Sequence, residues 1–435
     1  MPSECQHQVL QLDPSPFAVL AGYSQPTVQE RAAAATLSDR ASKPVTVNSN
    51  RTYPAPLVLP HDDLNYDPDC PPQSVNSWLG EKSRNKMSAK NGRDTLYIGR
   101  VPRIGKEVDF MRNWTTPKVE GVDAEQGSPD VQLFVDYMAA FYHGLDVKLL
   151  DKPLSWTVWG NASQPRRRAN LPKYVGLAHG SACTRIRVRN APDGTFDAQL
   201  NLDDIIDAAI AMLPDNAYAL LLLVDHDIHE SEEDDFCCGR AYGGSRVAVV
   251  QSARYNPSLD VGEGIDWAHM WPFSHCKYFV DKLCAVEEVK ARPPTKAQIA
   301  SSKTGSLRAA VTAASSAQQE ATALWFSRLA RTVSHELGHC FGMDHCVYYA
   351  CNMQGTAGMK EDVRQPPYLC PVCEAKVGHA IVSELKAGKE EEKIVWSKER
   401  HEALSNFCTR LRNDDVSTAM WIGLNGWLAE SAKVI

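Results

Sequence analysis

Residues 333–355 read VSHELGHCFGMDHCVYYACNMQG. Within this stretch His335 and His339 stand four residues apart, which places both imidazoles on one face of a helix, one turn apart. Gly342 can take the positive φ that ends a helix, so the chain can reverse and bring His345 toward the same point. Three imidazoles leave one tetrahedral position open, which is the coordination of a catalytic rather than a structural zinc.

The residue beside the first histidine, Glu336, completes this pattern. Its side chain is too short to bind the metal in the same plane, but it is well placed to hold a water and act as a general base. The alternative is that the histidines are only exposed to solvent or hydrogen-bonded within the core. That interpretation does not explain the spacing to Gly342 and His345. The stretch therefore predicts the zinc site of a metalloprotease.

Four cysteines come next, the last two within a CPVC tetrapeptide: Cys346, Cys351, Cys370 and Cys373. Four soft thiolate ligands that include such a knuckle suit a closed tetrahedral zinc–sulfur site. A redox CxxC and a pair of disulfides are the alternatives. A redox motif needs a thioredoxin-like strand and helix, and the sequence around Pro371 lacks that context. We therefore predict a second, structural zinc.

The whole pattern, HExxHxxGxxHC followed by Cx4CxM and CxxC, resembles the archaemetzincins, which are zinc metallopeptidases of the metzincin clan. The resemblance implies two zinc ions per chain, and it implies that Met353 is the methionine of the turn beneath the catalytic metal. It also implies an α+β, metzincin-like zincin domain with a mixed, mostly parallel twisted sheet, an active-site helix and a helical C-terminal part carrying the four-cysteine zinc knuckle. Some metzincins have a tyrosine where this chain has Gly355, so the sequence identifies no second donor for the oxyanion.

Composition is ordinary for a soluble globular protein, with 43 % hydrophobic and 23 % charged residues among 435. A net charge of −7 argues against nucleic acid as a partner. No stretch approaches the roughly 20 apolar residues of a membrane span, and the N-terminus lacks the features of a secretory signal. Thirteen cysteines, an odd number, suggest reduced thiols in the cytosol or nucleus. We expect a monomer that takes a peptide or protein substrate.

The predicted domain boundaries lie where proline-rich segments meet segments with the hydrophobic periodicity of strands or helices. Residues 1–92 are rich in Pro, Ser, Asn and Asp and are predicted to be a partly ordered extension. The catalytic domain is predicted to span 93–435, beginning with a strand at 95–101. Residues 256–317 are longer than a compact connection and are predicted to be an insertion beside the cleft, with an ordered aromatic first half. Residues 346–435 would form the zinc-knuckle and helical C-terminal part.

Other potential ligands have less support in the sequence. Cys276 and Cys284 in the insertion are predicted to be ordinary thiols, and Cys5 lacks the context of an N-terminal cysteine switch. Cys340 lies about 100° from His339 on the helix, which favours a buried thiol over a fourth ligand. The DHDIHESEEDDFCCG stretch at 225–239 suggests a metal cluster through its aspartates and histidines at 225–229 and through Cys237 and Cys238, but an acidic surface loop is the preferred interpretation.

Two elements are predicted to frame the site. The active-site helix should pack through a stripe at three- and four-residue spacing, namely Phe326, Leu329, Val333 and Leu337. The segment 239–255 alternates as a strand. In metzincins the corresponding strand lies at the upper edge of the cleft and is antiparallel to its neighbours, so an extended peptide could pair with its backbone.

Two other functional classes compete with a peptidase. The chain could be a catalytically idle zinc scaffold or a peptide-binding module that keeps the fold, although a binding protein has no use for the general base Glu336. A zinc-knuckle protein that binds nucleic acid is the second alternative, and the absence of a basic stripe argues against it.

Overall fold

The computed structural model of the chain describes residues 5–40, 53–88, 90, 92–119, 128–160, 171–291, 293–317 and 320–433. Its described residues form a mixture of helices and strands, so the fold class is α+β. Packing divides the chain into two compact units. The first unit comprises Met1–Lys82, Glu263–Ala323 and Met343–Ile435, and the second comprises Ser83–Gly262 and Leu324–Gly342. None of the helices in the described ranges is both long and apolar enough to cross a membrane.

The centre of the second unit is a five-stranded mixed sheet. Four of its strands are parallel, and the fifth is antiparallel at one edge. In spatial order the strands are Gly239–Tyr242, Val247–Gln251, Ala217–Val224, Thr95–Gly99 and Asp146–Leu149. The middle strand, AYALLLLV, is buried along its whole length, because a parallel strand covered on both faces needs apolar side chains on both. The predicted mixed, mostly parallel sheet is confirmed.

A second, mostly antiparallel sheet lies in the same unit and was not predicted from the sequence. Its strands, in spatial order, are Arg103–Ile104, Leu154–Val158, Tyr174–His179, Ala182–Arg189, Gln199–Asn201 and Ile228–His229. The sequence suggests one strand over 147–156, but the chain leaves the parallel sheet after Leu149 and joins the second sheet at Leu154. Pro153 between them has no backbone N–H to donate to a ladder, so one continuous central strand is unfavourable.

Besides the active-site helix, the second unit has two amphipathic helices with buried apolar side chains. Helix Leu202–Met212 begins at Asn201, whose side chain accepts a hydrogen bond from the Asp204 N–H at 3.1 Å, as the sequence predicts. Helix Val131–Phe141 is capped by Asp130, which accepts from the Gln132 N–H at 3.0 Å. Ser128, two residues earlier, is not the cap, and its hydroxyl donates instead to the Asp225 carboxylate at 3.0 Å.

The first unit is mainly helical. Its helices of six or more residues are Val28–Ala34, Val75–Gly80, Lys277–Cys284, Lys296–Ser301, Ser306–Ala314, Pro371–Gly378, Glu392–Asn413 and Ala419–Ser431, with a wider helical stretch at His379–Leu385. The second half of the predicted insertion is more ordered than its Ala/Ser-rich sequence indicates. Helix Ser306–Ala314 buries Leu307 and Val311 and packs against helix Ala419–Ser431. Trp421 and Trp427 of the latter are also buried, so its aromatic stripe serves packing.

Candidate functional site

Helix Ala321–Cys340 carries the histidine motif, and its core-facing stripe is buried as predicted. Polar contacts within the second unit fix its position. The indole N–H of Trp325 donates to the Ser252 carbonyl at 2.9 Å, and the Tyr142 hydroxyl donates to the Ser334 carbonyl at 2.6 Å. Because the helix is fixed in place, the side chains on its other face also keep a fixed position.

A buried ion pair adds to this placement. Two nitrogens of the Arg328 guanidinium lie 2.7 and 2.6 Å from the two carboxylate oxygens of Asp260, and both side chains are buried. A bidentate arginine–carboxylate pair fixes distance and angle together, so it resists rotation of the helix about its axis.

The structure brings His335 and His339 together. Their Nε2 atoms lie 3.0 Å apart, and the two rings are nearly perpendicular, at 81°. Two imidazole nitrogens bound tetrahedrally to one zinc lie about 3.3 Å apart, given the usual zinc–nitrogen bond length. The observed pair is therefore close to the arrangement that a shared metal ion needs.

Glu336 lies beside this pair and is 8 % exposed. Burial raises the pKa of Glu336 to about 8, with the nearby Arg240 guanidinium lowering it and Glu230 raising it further. Cys340, the last residue of the helix, is fully buried, and burial raises the pKa of its thiol well above the usual range. Cys340 is thus a buried thiol, as the sequence predicts.

Gly342 ends the helical region in the way expected from the sequence. Its φ is 76°, in the left-handed region that favours glycine, and its N–H donates to the His339 carbonyl at 2.8 Å. A Cβ atom at this position would also come within 2.7 Å of the Arg84 side chain. The turn that redirects the chain toward His345 therefore depends on glycine.

The third predicted ligand, His345, belongs to the first unit. Its Nδ1 lies 2.9 Å from the Asp67 carboxylate, and Cys70 is close to both. Burial raises the pKa of Asp67, but its hydrogen bonds to His345 and Cys70 outweigh that effect and hold the pKa below its usual range. With Nδ1 occupied by a carboxylate, the nitrogen that remains for a metal is Nε2. Sequence reasoning missed Asp67, because nothing in the proline-rich extension marks one aspartate among several.

The turn after His345 is tightly packed. Met353 is fully buried, and its carbonyl accepts a hydrogen bond from the Cys346 N–H at 2.7 Å. At Gly355 an added Cβ would come within 2.8 Å of the Leu64 carbonyl oxygen and 2.9 Å of Nδ1 of His345. This position has no room for a tyrosine or any other side chain. Steric crowding therefore explains why this chain has glycine where some metzincins have tyrosine.

The four predicted knuckle cysteines also come together, all within the first unit. One ligand atom of each lies within 4.8 Å of the others, and all four side chains are buried. The sulfurs of Cys346 and Cys370 are 3.6 Å apart, too far for a disulfide and close to the roughly 3.8 Å expected on a zinc tetrahedron. Hydrogen bonds from the other three thiols lower the pKa of Cys346, whereas burial raises that of Cys370. The chemistry of this donor set fits a tetrahedral zinc.

The prediction of an acidic surface loop at 225–239 was wrong for residues 225–229 and right for the acidic part that follows, in which Ser231, Glu232, Glu233 and Asp235 are exposed. His226 and Asp227 are buried, and Asp227 pairs with the buried Arg254 at 2.5 Å. Arg254 lies between Asp227 and Asp193 and also stacks over the Phe236 ring at 4.2 Å. The Arg254 guanidinium offsets the cost of burying the charged Asp227 carboxylate. The two residues are 27 positions apart, so the sequence around Asp227 does not reveal the pair.

Comparison with known proteins places the motif in a family. Residues 303–379 match the family model of Peptidase family M54. Over 338 residues the chain is 26 % identical to archaemetzincin-2 from Homo sapiens, an alignment that covers 77 % of this chain and 72 % of that protein. A segment of 72 residues is 43 % identical to archaemetzincin-2 from Macaca fascicularis and covers 16 % of this chain and 20 % of that protein.

Among solved structures, archaemetzincin from Methanopyrus kandleri aligns with 67 % of this chain and 97 % of its own, at 14 % identity and a TM-score of 0.31. A TM-score this low carries no argument, so the fold rests on the strands and helices given above. The family match and the sequence relatives agree with the resemblance that the histidine and cysteine motifs carry. The chain is similar to the archaemetzincins over about three quarters of its length, and the segment with the histidine motif matches Peptidase family M54.

Proposed function

We propose that the protein hydrolyses peptide bonds at a zinc held by His335, His339 and His345, with Glu336 as the general base. The observation that carries this proposal is the 3.0 Å separation of the His335 and His339 Nε2 atoms on a rigidly packed helix, directly beside a buried carboxylate. The third ligand rests on the motif spacing and on Asp67, which holds Nδ1 of His345. When bound, the zinc supplies a Lewis acid and lowers the pKa of a water.

Glu336 carries the proton transfers. In its carboxylate form it accepts the proton of the attacking water and then passes that proton to the leaving amine. A buried carboxylate has a raised affinity for protons, which suits a group that must hold one between the two steps. A nearby divalent cation favours the charged form, so the same residue can begin each cycle as a base.

Strand Gly239–Tyr242 supports an extended peptide as the substrate. It is the outermost strand of the five-stranded sheet and runs antiparallel to Val247–Gln251. A Cβ built on Gly239 would lie 3.4 Å from Cγ of Glu336, so the strand passes next to the catalytic carboxylate. A peptide that adds to this edge would align its backbone beside the general base.

We further propose that Cys346, Cys351, Cys370 and Cys373 hold a second, structural zinc that completes a metzincin-like knuckle. Four buried thiols at this spacing leave no open coordination position, so this ion has no role in the chemistry. None of the thirteen cysteines forms a disulfide in the structure, and the cytosol or nucleus is the compartment that keeps thiols reduced.

The experiment that tests the function combines metal content with peptide turnover. The full chain, purified with zinc, is offered a peptide library, and products are identified by mass spectrometry before and after chelation and zinc return. Cleavage that is lost on chelation and restored by zinc is the expected result. Full zinc occupancy at both proposed sites with no cleavage of any peptide would favour the idle scaffold.

A further inference from the structure

A second group of cysteine and histidine side chains lies in the first unit, apart from the residues discussed so far: Cys5, His7, His269 and Cys276. One ligand atom of each residue lies within 4.8 Å of the other three. The two cysteines are 9 % and 2 % exposed and His269 is 9 % exposed, whereas His7 is partly exposed, so three of the four side chains are enclosed. Two residues come from the N-terminal extension and two from the insertion at 256–317.

The separations within this group are longer than a disulfide bond and come close to those of metal ligands. The sulfurs of Cys5 and Cys276 are 2.9 Å apart, well beyond a disulfide bond of about 2.05 Å. The sulfur of Cys5 is 3.5 Å from Nδ1 of His7. Ligand atoms around a tetrahedral zinc lie roughly 3.3–3.8 Å apart, so binding would require the two sulfurs to separate by less than about 1 Å.

His269 is prepared to bind through one specific nitrogen. Its Nδ1 lies 2.7 Å from the Asp266 carboxylate, and its ring stacks on Phe279 with centroids 4.1 Å apart and planes within 7°. Its Nε2 is buried, and the further polar partner of its ring is the thiol of Cys276, another member of the group. Carboxylate–histidine–zinc triads have this arrangement, in which the carboxylate fixes the ring and the other nitrogen faces the metal.

The backbone around the cluster is held in place by bonds that do not involve the four side chains. Leu10 and Cys276 form an antiparallel bridge, with the Lys277 N–H donating to the Val9 carbonyl at 2.9 Å. The Gln11 N–H donates to the His275 carbonyl at 2.8 Å. The ligand atoms are therefore brought together by paired main chain, and their convergence is a property of the fold.

We infer that Cys5, His7, His269 and Cys276 form a further zinc site, closed and structural, that ties the N-terminal extension to the insertion. Two thiolates and two imidazoles are a complete ligand set for tetrahedral zinc, and no position remains for water or substrate. A disulfide would use only the two cysteines and would give the two histidines no role. The zinc site accounts for all four side chains and for Asp266.

The test measures zinc per chain in full-length protein prepared under reducing conditions, by native mass spectrometry and elemental analysis. The double variant Cys5→Ser/Cys276→Ser should contain one zinc fewer than the wild type and keep the remainder. Cys284→Ser is the matched control, because Cys284 is buried in the same apolar cluster but is not among the four ligands. Equal zinc content in the folded double variant and the wild type would overturn the inference.

A second readout needs no variant and so remains decisive if the double variant does not fold. Alkylation of the wild-type protein is mapped by peptide mass spectrometry, with and without a zinc chelator. Modification of Cys5 and Cys276 should rise at least ten-fold on chelation, whereas that of the buried Cys408 should not change. No increase at Cys5 and Cys276, or a Cys5–Cys276 disulfide in reduced preparations, would overturn the inference. The comparison uses differences in zinc and reactivity, so it stands even if no peptidase activity is found.

Discussion

Nδ1 of His345 lies 2.9 Å from Oδ2 of Asp67, although the two residues are 278 positions apart in the chain. Asp67 comes from the extension that the sequence leaves without a chemical role. A carboxylate on Nδ1 fixes the tautomer and the ring orientation of a metal-binding histidine and raises its basicity. The extension therefore contributes to the proposed catalytic site by orienting one of its ligands.

Replacing Asp67 with asparagine tests this contribution. The variant keeps the shape of the side chain but loses its charge, so the affinity for the proposed catalytic zinc should fall roughly 10- to 100-fold. Competition with a chelator of known affinity measures the change. Asp69→Asn is the control, because Asp69 is exposed and its bond to Asp67 is made by the backbone N–H, which the substitution leaves in place. Equal affinity in Asp67→Asn and wild type would contradict the role.

A substitution of Gly355 by alanine should disturb the same histidine sterically. The new Cβ would approach Nδ1 of His345 to 2.9 Å and the Leu64 carbonyl to 2.8 Å, and neither can move away freely. We expect a loss of about 1–3 kcal/mol in the free energy of unfolding, together with weaker zinc binding. Gly358→Ala adds the same methyl group where no atom lies within 4 Å, so it should behave as the wild type in both measurements.

The knuckle cysteines should matter for stability rather than for chemistry. Cys373→Ser removes one thiolate of the proposed structural zinc, so the variant should lose that ion and about 3 kcal/mol or more of stability. Zinc content and the apparent melting temperature, measured with and without chelator, report the two effects. Cys408→Ser changes an equally buried thiol outside the cluster and should keep its full zinc content. If Cys373→Ser kept its zinc and its melting temperature, the structural site would be disproved.

The buried Arg254 predicts a pH dependence of stability through Asp193. Burial raises the pKa of Asp193, but hydrogen bonds from Arg254 and Thr195 outweigh it and lower the pKa to about 2, from an ordinary 3.8. A carboxyl with a lower pKa in the folded state stabilises the fold above its unfolded pKa and loses that contribution as pH falls from about 3.8 to about 2.

Asp193→Asn should therefore be less stable than the wild type by about 1–2 kcal/mol near pH 7, and the difference should shrink as pH falls toward 2. Urea unfolding at a series of pH values measures it. Asp197→Asn provides the comparison, because Asp197 forms only a solvent-exposed pair with Lys118 and should change little. A difference that stayed constant down to pH 2 would contradict the assignment to Asp193.

The parts of the structure that were predictable depend on neighbours in the chain. The helical spacing of His335 and His339, the buried run Ala217–Val224 and the turn at Gly342 each express a local pattern of the sequence. The knuckle cysteines were equally recognisable, since thiols at CxxC spacing have few alternative uses.

The missed features all depend on partners far apart in the sequence. Asp67 reaches His345, Arg254 reaches Asp227, and Cys5 reaches Cys276 only because the fold brings separate segments together. Single cysteines and histidines at irregular spacing look like ordinary residues until the backbone pairing is known. The proline-rich extension shows no periodicity, so its packing could not be anticipated from it.

The central claim is that Glu336 moves the proton in zinc-dependent peptide hydrolysis. The most direct measurement compares cleavage rates of Glu336→Gln and wild type on the same peptide, with zinc content determined for both. The conservative variant should retain its zinc and lose at least about 1,000-fold in kcat, whereas Glu232→Gln, a change at a largely exposed carboxylate, should cleave as fast as the wild type. A zinc-loaded Glu336→Gln protein as active as the wild type would contradict the mechanism.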